Sequence, residues 1–277
     1  ETIIKPSKNK LINFLKNIKL AFKLRKYIKK GDLIKTNQLN GSWIGILLKF
    51  LTKKPLLIRT GYDILQFKIY EKKPKYIILF YFLLTQFGLL FSDLFTVTSN
   101  VDKEKMRKRF INAENIIIHK NYVVKKYDSP FDSRYENKIL IVGRLEKQKN
   151  YLQILNSLKN KSFEIDIVGE GFEKDVIQKK INELSLKVNL LGNISNQDLL
   201  KLYQKYRIFV SGSLYEGNPK STLEAMASGT LVVAFENENI CEVVESYKNG
   251  VTFTNFKLLP EILDEMIKSF NLNDFNS

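Results

Sequence analysis

Histidine and cysteine are almost missing from this chain. His119 and Cys241 are the only examples among 277 residues. A lone cysteine excludes an internal disulfide framework and fits a reducing compartment. One histidine leaves a Cys/His metal site, or a histidine-based nucleophile triad, without the residues to build it. Long apolar runs are missing too. The longest, over residues 76–91, is interrupted by Thr85 and Gln86. It falls short of the roughly 20 residues that span a bilayer, and it reads as either a buried helix or a helix on a membrane surface. Acidic residues are scarce in one half only. Residues 1–137 hold 28 Lys and Arg against 11 Asp and Glu, a balance of +17, whereas residues 138–277 hold 17 against 18. The first 30 residues carry ten basic side chains against Glu1. Such asymmetry points to a polyanionic partner for the first half: an anionic membrane, a phosphorylated lipid or nucleic acid. No stacking-aromatic pattern or recognition-helix motif accompanies the charge, so nucleic acid is the weakest of the three.

What is present is ample apolar residue, 44% of the chain, enough for two ordinary cores or one large one. Leu11, Leu15, Ile18 and Phe22 recur at helical spacing with lysines between them, predicting a basic helix over residues 10–29 closed by Gly31. That helix reads as a sheet-covering element with a lysine-rich exterior or as a membrane-surface element. Strands are expected at 32–36, 55–59, 94–98 and 116–119. Ser42 is placed to cap a helix running to Leu51. Trp43 follows it and reads as core. A turn is expected at Gly61-Tyr62-Asp63, and helices at 76–91 and 101–110. His119, at a strand end, reads as an ordinary polar residue or as an interdomain or acceptor contact.

Asp128, Ser129, Pro130, Asp132 and Ser133 supply turn chemistry, so residues 126–137 are read as a linker between a domain over 1–125 and a domain over 138–277. In the second domain, strands are expected at 138–142, 163–168, 187–191, 207–211, 230–235 and 251–254. Helices are expected at 149–159, 172–184, 196–205, 219–228, 240–246 and 258–270. Short apolar strands alternating with helices mean α/β architecture, with parallel sheets covered on both faces.

Four stretches of the second domain sit where ligands of such sheets bind, at strand carboxyl ends. In Gly143-Arg144-Leu145-Glu146-Lys147-Gln148-Lys149-Asn150, two cations straddle a strand-to-helix loop. They could hold a diphosphate, Arg by its fork and Lys as a point charge, or could be solvated charges at a helix start. Gly169-Glu170-Gly171 allows close approach by a ligand or makes a simple turn. Leu191-Gly192-Asn193-Ile194 could meet a nucleobase, or could equally be a turn. Glu216-Gly217-Asn218-Pro219-Lys220-Ser221-Thr222-Leu223-Glu224 sets two carboxylates seven residues apart around a turn. Pro219 is expected at the first helical position. The helix start offers free N–H groups to an anion, and a carboxylate can accept paired hydrogen bonds from vicinal hydroxyls. The plainer readings are a loop acid for Glu216 and dipole-complementing charge for Glu224.

The four motifs in this order, followed by Ala225-Met226-Ala227-Ser228-Gly229-Thr230-Leu231-Val232-Val233-Ala234, resemble the carboxyl-terminal domain of retaining GT-B glycosyltransferases of the family 4/group 1 type. The resemblance is detailed over residues 138–254. It is looser over 31–123, where Ser92-Asp93-Leu94-Phe95-Thr96-Val97-Thr98-Ser99 is similar to a family strand. It implies a GT-B fold of two Rossmann-like, doubly wound domains with parallel sheets, the amino-terminal one incomplete. It implies a nucleotide-diphosphate sugar as donor substrate, no metal and no other cofactor, and transfer with retention to a glycan or lipid-linked acceptor in bacterial surface-glycan assembly (lipopolysaccharide, capsule or polyprenyl-linked). The location implied is cytoplasmic, with the basic half against the inner face of the plasma membrane.

Arg144 and Lys149 would neutralise the diphosphate, and Glu216 would face the donor sugar, these three forming the catalytic set. Gly143, Gly171, Gly217, Asn218, Lys220 and Ser221 would complete the donor cradle. Glu224 would bind ribose hydroxyls, and Asn193 and Ile194 would flank the base. The chain departs from the family pattern in three places. No Gly-rich strand–loop–helix precedes residue 31, Arg59 or Thr60 stands where many members have histidine, and no long terminal helix returns to the first domain. These departures mark a shortened member or a fragment, and they leave open a donor-binding chain without turnover. Epimerisation of a nucleotide sugar and glycan phosphorolysis are the other reactions the fold would allow.

Overall fold

The structure is a computed structural model describing residues 10–29, 31–123 and 133–269. The chain divides into two compact units, Glu1–Lys120 and Asn121–Ser277.

The first unit holds four parallel strands, β1 (Ile34–Thr36), β2 (Leu56–Arg59), β3 (Leu94–Val97) and β4 (Ile116–Ile118), lying side by side in chain order. Helices α1 (Lys10–Leu24), α2 (Ser42–Thr52), α3 (Ile64–Tyr70), α4 (Lys75–Phe91) and α5 (Asn100–Arg109) accompany them. Leu56, Ile58, Phe95, Val97 and Ile116 of the strands are buried in one cluster with Leu48, Leu84, Leu89 and Met106 of the helices. Full burial of each such side chain contributes about 1.5–3 kcal/mol. Ser99 caps α5 by accepting from the Asp102 N–H at 3.0 Å. His119 extends β4 by donating its backbone N–H to Val97 at 2.7 Å.

Three local expectations are corrected here. The basic helix stops at Leu24, a 3-10 turn takes Arg25–Tyr27, and Gly31 lies in a later turn at φ +96°. Ser42 does not cap α2: Gly41 holds that position, and the Ser42 hydroxyl is fully buried without a hydrogen-bond partner. The turn at Asp63 starts a further helix, α3, whose Gln66 N–H is accepted by the Asp63 carboxylate at 3.1 Å.

The second unit is a six-stranded, wholly parallel sheet: β5 (Tyr135–Val142), β6 (Glu164–Val168), β7 (Val188–Gly192), β8 (Tyr206–Ser211), β9 (Leu231–Phe235) and β10 (Gly250–Phe253). The spatial order is β10-β9-β8-β5-β6-β7. Winding therefore runs outward from β5 through β6 to β7, then crosses to β8 on the other side of β5. The crossing creates a switch point between β5 and β8. Period-2 alternation sends Ile139, Ile141, Ile165, Ile167, Ile208 and Val210 to one face, under α6 (Tyr151–Ser157), α7 (Lys174–Leu184) and α11 (Leu259–Ser269). Leu140, Val168, Phe209, Val232 and Ala234 go to the other face, under α8 (Asn196–Tyr203), α9 (Lys220–Ala227) and α10 (Glu238–Tyr247).

The expected linker over 126–137 lies largely outside the described residues. Its last three positions open β5, where Tyr135 pairs with Tyr206. On β6 the buried Asp166 is satisfied by the Lys138 ammonium at 3.1 Å, the Asn189 amide at 2.7 Å and the Tyr206 hydroxyl.

Candidate functional site at the sheet switch point

The loops leaving β5 and β8 flank the switch point and are tied to each other. The Gln148 side chain donates to the Tyr215 carbonyl at 2.6 Å, and the Leu214 N–H donates to the Gln148 carbonyl at 2.9 Å. Across this seam Lys149 Nζ meets Glu216 Oε1 at 2.5 Å, with 17% and 11% of the two side chains exposed. Gly143 makes room for the pair. A Cβ there would stand 3.1 Å from Lys149 Cε and 3.3 Å from the Tyr151 hydroxyl. That hydroxyl donates to the Gly143 carbonyl at 2.8 Å. Burial, and then the negative charges of Glu216 and Glu146, push the Tyr151 phenol well above its ordinary range.

Arg144 leaves the same loop in another direction. Its guanidinium donates to Glu146 Oε1 at 2.8 Å, and its side chain is 72% exposed. It is a solvent-facing cation at the rim and makes no contact with Glu216.

The glycines after β6 serve the loop above them. Gly169 sits at φ +141°, and a Cβ on it would meet the Gly143 carbonyl oxygen at 2.0 Å. A Cβ on Gly171 would fall 2.4 Å from the Leu145 carbonyl oxygen. The sequence reading leaves this close approach to a ligand or a turn; in the structure it is made by the 143–145 backbone. That backbone is held by Leu145 N–H to Glu170 and Glu173 N–H to Leu145, both at 2.9 Å.

After β8, Gly217 and Asn218 are buried. The Asn218 carboxamide oxygen accepts from the Asn121 N–H at 3.2 Å, and the Asn121 amide donates to the Asn218 carbonyl at 2.9 Å. Helix α9 starts at Lys220, with Pro219 one place earlier than expected, at the N-cap, and with no side-chain cap. The first-turn N–H groups of Lys220, Ser221 and Thr222 thus lie before the first helical bond, which runs from Leu223 N–H to the Pro219 carbonyl at 3.1 Å. One turn on, Glu224 is buried. Lys220 Nζ approaches its Oε1 at 3.2 Å and the Tyr203 hydroxyl its Oε2 at 3.4 Å. Burial, then the Glu224 charge, holds the Tyr203 proton tightly.

Lys220 also reaches Asn196 at 3.3 Å, and Ile194 packs against the cluster containing Leu223, so the turn after β7 lies against the start of α9. Asn193 in that turn is exposed.

Two residues of this region escape the sequence reading. Asn239 donates to the Glu216 carbonyl at 2.6 Å, and Asn237 donates to the Ser213 carbonyl at 2.9 Å while accepting the Ile240 N–H at 3.1 Å. Together they fasten the β8 loop to α10. The N-cap role of Asn237 is legible as an Asn before an apolar-periodic run; Asn239 leaves no such trace.

The assembly presents a cation held by a carboxylate, an exposed guanidinium, an uncapped helix N-terminus and a second, buried carboxylate, all at the carboxyl edge of one sheet. Anions suit the first three, and hydroxyl donors suit the carboxylates. Among the described residues no group of three His, Cys, Asp or Glu side chains could hold a metal ion, and no helix is long and apolar enough to cross a membrane.

Comparison with known proteins identifies the fold and the family. Among solved structures, HepE from Anabaena in complex with UDP and glucose superposes with a TM-score of 0.76 at 19% identity, over 94% of this chain and 74% of that one. Sucrose-phosphate synthase from Thermosynechococcus elongatus gives 0.78 at 19% identity, over 96% and 72%. These likenesses are of fold, and they make the fold GT-B. Among curated proteins, a Campylobacter jejuni alpha-1,4-N-acetyl-D-galactosaminyltransferase is 27% identical over 168 residues, 58% of this chain and 43% of that protein. The amylovoran biosynthesis glycosyltransferase AmsD of Erwinia amylovora is 27% identical over 158 residues, 56% and 45%. The match spans less than half the length of these two relatives. The family description "Glycosyl transferases group 1" matches residues 128–273, more than half of the sequence. The chain belongs to the glycosyl transferases group 1 family.

Proposed function

We propose that the chain takes part in moving a sugar from a nucleotide-diphosphate donor to a glycan or lipid-linked acceptor, with retention, in the assembly of a bacterial surface glycan. The observation that carries this reading is the Lys149–Glu216 pair at the switch point, beside the uncapped start of α9. Lys149 and Arg144 would lie along the pyrophosphate and neutralise the charge that grows there as the glycosidic bond breaks. The N–H groups of Lys220 and Ser221 would meet phosphate or sugar oxygens. Glu216 would accept hydroxyls of the donor sugar, and Glu224 those of the ribose. Gly143, Gly171, Gly217 and Asn218 would shape the cradle, with Asn193 and Ile194 beside the base. In this reading the acceptor oxygen attacks the anomeric carbon from the face the diphosphate leaves, and no protein nucleophile is assigned. The two cations take the role a divalent metal has in other transferases, so no metal is required.

HepE has been crystallised with UDP and glucose. The Campylobacter relative is named for an acceptor on an undecaprenyl diphosphate carrier. A Staphylococcus aureus relative, 27% identical over 58% of this chain, is named for poly(ribitol-phosphate). Donor and acceptor here are proposed to be of those chemical kinds. The excess positive charge of the first unit would face the inner surface of the plasma membrane rather than nucleic acid, with the chain cytoplasmic.

A thermal-shift screen of nucleoside diphosphates and their sugars tests this. Ligand at 100 times its Kd should add about 2.7 kcal/mol of stability. Nucleoside diphosphate should then be released only when acceptor is present. A chain that no nucleoside diphosphate stabilises would overturn the reading.

A further inference from the structure

We infer that the outer face of α4 rests on an anionic lipid bilayer. Tyr76, Leu79, Phe80, Leu83, Phe87 and Leu90 are between 43% and 72% exposed. At about 100° per residue they fall within roughly a third of the helix circumference. The opposite side, with Leu84, Thr85, Gly88 and Leu89, is buried against the first unit's sheet. The exposed side is thus a second apolar stripe, beyond what the core needs. Phe50 of α2, 63% exposed, prolongs it: its ring meets Phe91 edge-on at 5.4 Å, and Phe91 stacks on Phe87 at 5.9 Å.

Charge selects the occupant. No acidic residue occurs in α4. Exposed Lys72 and Lys75 stand before Tyr76 and exposed Lys53 beyond Phe50. The acidic residues near the two ends, Glu71 and Asp93, are each paired with lysine, Glu71 with Lys68 and Lys73 and Asp93 with Lys49. An aromatic and leucine-rich stripe between lysines matches a bilayer whose acyl boundary takes the rings while its phosphates meet the ammonium groups. A seventeen-residue helix already packed on one side lies along such a surface rather than crossing it. This deepens the acceptor side of the proposed function, on which it rests for its purpose. It places a lipid-linked acceptor and the protein on the same surface.

The experiment is flotation of the full chain with vesicles of phosphatidylglycerol and phosphatidylcholine, against vesicles of phosphatidylcholine alone. Binding is expected to the anionic vesicles and to be weak with the neutral ones. Phe80→Ser with Phe87→Ser, and separately Leu79→Gln with Leu83→Gln, should each cut the bound fraction by roughly tenfold or more. All four positions are exposed, so unfolding midpoints should hold. Lys72→Glu with Lys75→Glu should abolish the preference for anionic lipid. Failure of the parent chain to float, or unchanged flotation of both apolar variants, overturns the inference. So does a concentration-dependent dimer in sedimentation equilibrium that the apolar variants dissociate, because the face would then belong to a second copy. Nucleoside diphosphate binding measured on the same samples separates loss of this inference from loss of the donor reading.

Discussion

Lys149 and Glu216 are 67 positions apart in the sequence and 2.5 Å apart in the fold. Their loops leave neighbouring strands, β5 and β8, so the sheet itself sets their distance. Each neutralises the other. In the proposed function, a pyrophosphate at Lys149 would compete with the Glu216 carboxylate for it. The carboxylate would then be turned toward the sugar hydroxyls by the anion the lysine accepts.

Replacing either partner separates their two roles. Lys149→Ala strands a mostly buried carboxylate and should lower stability by about 1–3 kcal/mol, read from a urea midpoint. It should also weaken nucleoside diphosphate binding more than nucleoside binding. Glu216→Gln keeps the shape and should leave diphosphate binding within a few-fold while acceptor-dependent turnover collapses. Equal loss of nucleoside and diphosphate in Lys149→Ala would contradict the assignment.

Arg144→Ala should leave the unfolding midpoint unmoved, because the guanidinium stands in solvent with only Glu146 as partner. Its effect should appear in calorimetric titration with a nucleoside diphosphate. There a lost charge-assisted bond is worth about 1.5–3 kcal/mol, roughly ten- to 150-fold in affinity. An unchanged affinity would remove Arg144 from the cradle.

Glu224→Ala should weaken nucleoside and nucleoside diphosphate alike, since its proposed partners are ribose hydroxyls common to both. It also takes the acceptor from the buried Tyr203 hydroxyl and leaves Lys220 with Asn196 alone, so a loss of stability of about 1–3 kcal/mol is expected. Glu224→Gln retains an acceptor oxygen and should recover most of the stability but not the binding. Recovery of both would assign Glu224 to structure alone.

Gly169→Ala is expected to be among the most damaging single substitutions in the second unit. The new methyl would overlap the Gly143 carbonyl, and the backbone angle already excludes most side chains. A cost of about 3 kcal/mol or more follows from overlap plus strain. A midpoint within error of the parent would show that the 143–145 loop can yield.

Alkaline titration gives a check on burial. Tyr151 and Tyr203 have folded-state pKa values raised above the unfolded value, by burial first and by neighbouring carboxylates second. A raised phenol binds its proton more tightly folded than unfolded. Its stabilisation is therefore whole below the ordinary tyrosine pKa of about 10 and is lost as pH climbs beyond it. Thermal midpoints should fall above that pH, and Tyr203→Phe should flatten the fall. A slope unaffected by Tyr203→Phe would mean that this phenol ionises freely.

The second unit was readable because most of its strands carry a compact apolar run, such as Ile139–Val142 or Leu231–Phe235, and its longer helices have a 3.6-residue apolar period. Reading failed where local chemistry was overruled. Tyr135, Glu136 and Asn137 are polar enough to pass for a linker, yet they extend β5 because β8 offers them a parallel neighbour at Tyr206. Helix α3 is only seven residues long, too short to declare a period, and its cap Asp63 reads equally well as a turn. Within the candidate site, the Glu-x7-Glu spacing and the Gly-Arg-x4-Lys spacing could be seen. The contact of Lys149 with Glu216 could not, since it depends on strand order. Nor could Arg144 turning outward to Glu146 be foreseen, because two cations in one loop carry no sign of which way each will point.

The order of strands has a consequence for how this domain can change over generations. The seam joining the β5 and β8 loops is rooted in the two central strands, where almost every neighbour is fixed. The turn carrying Asn193 hangs from the marginal strand β7, with one flank open. Ile194 and Asn196 of that stretch are tied to the start of α9, whereas Asn193 is exposed, so in the proposed function drift at Asn193 alone would alter the fit to a base while the grip at the centre stays. If the donor cleft is as proposed, a lineage could thus change the base it prefers through replacements at that one exposed margin.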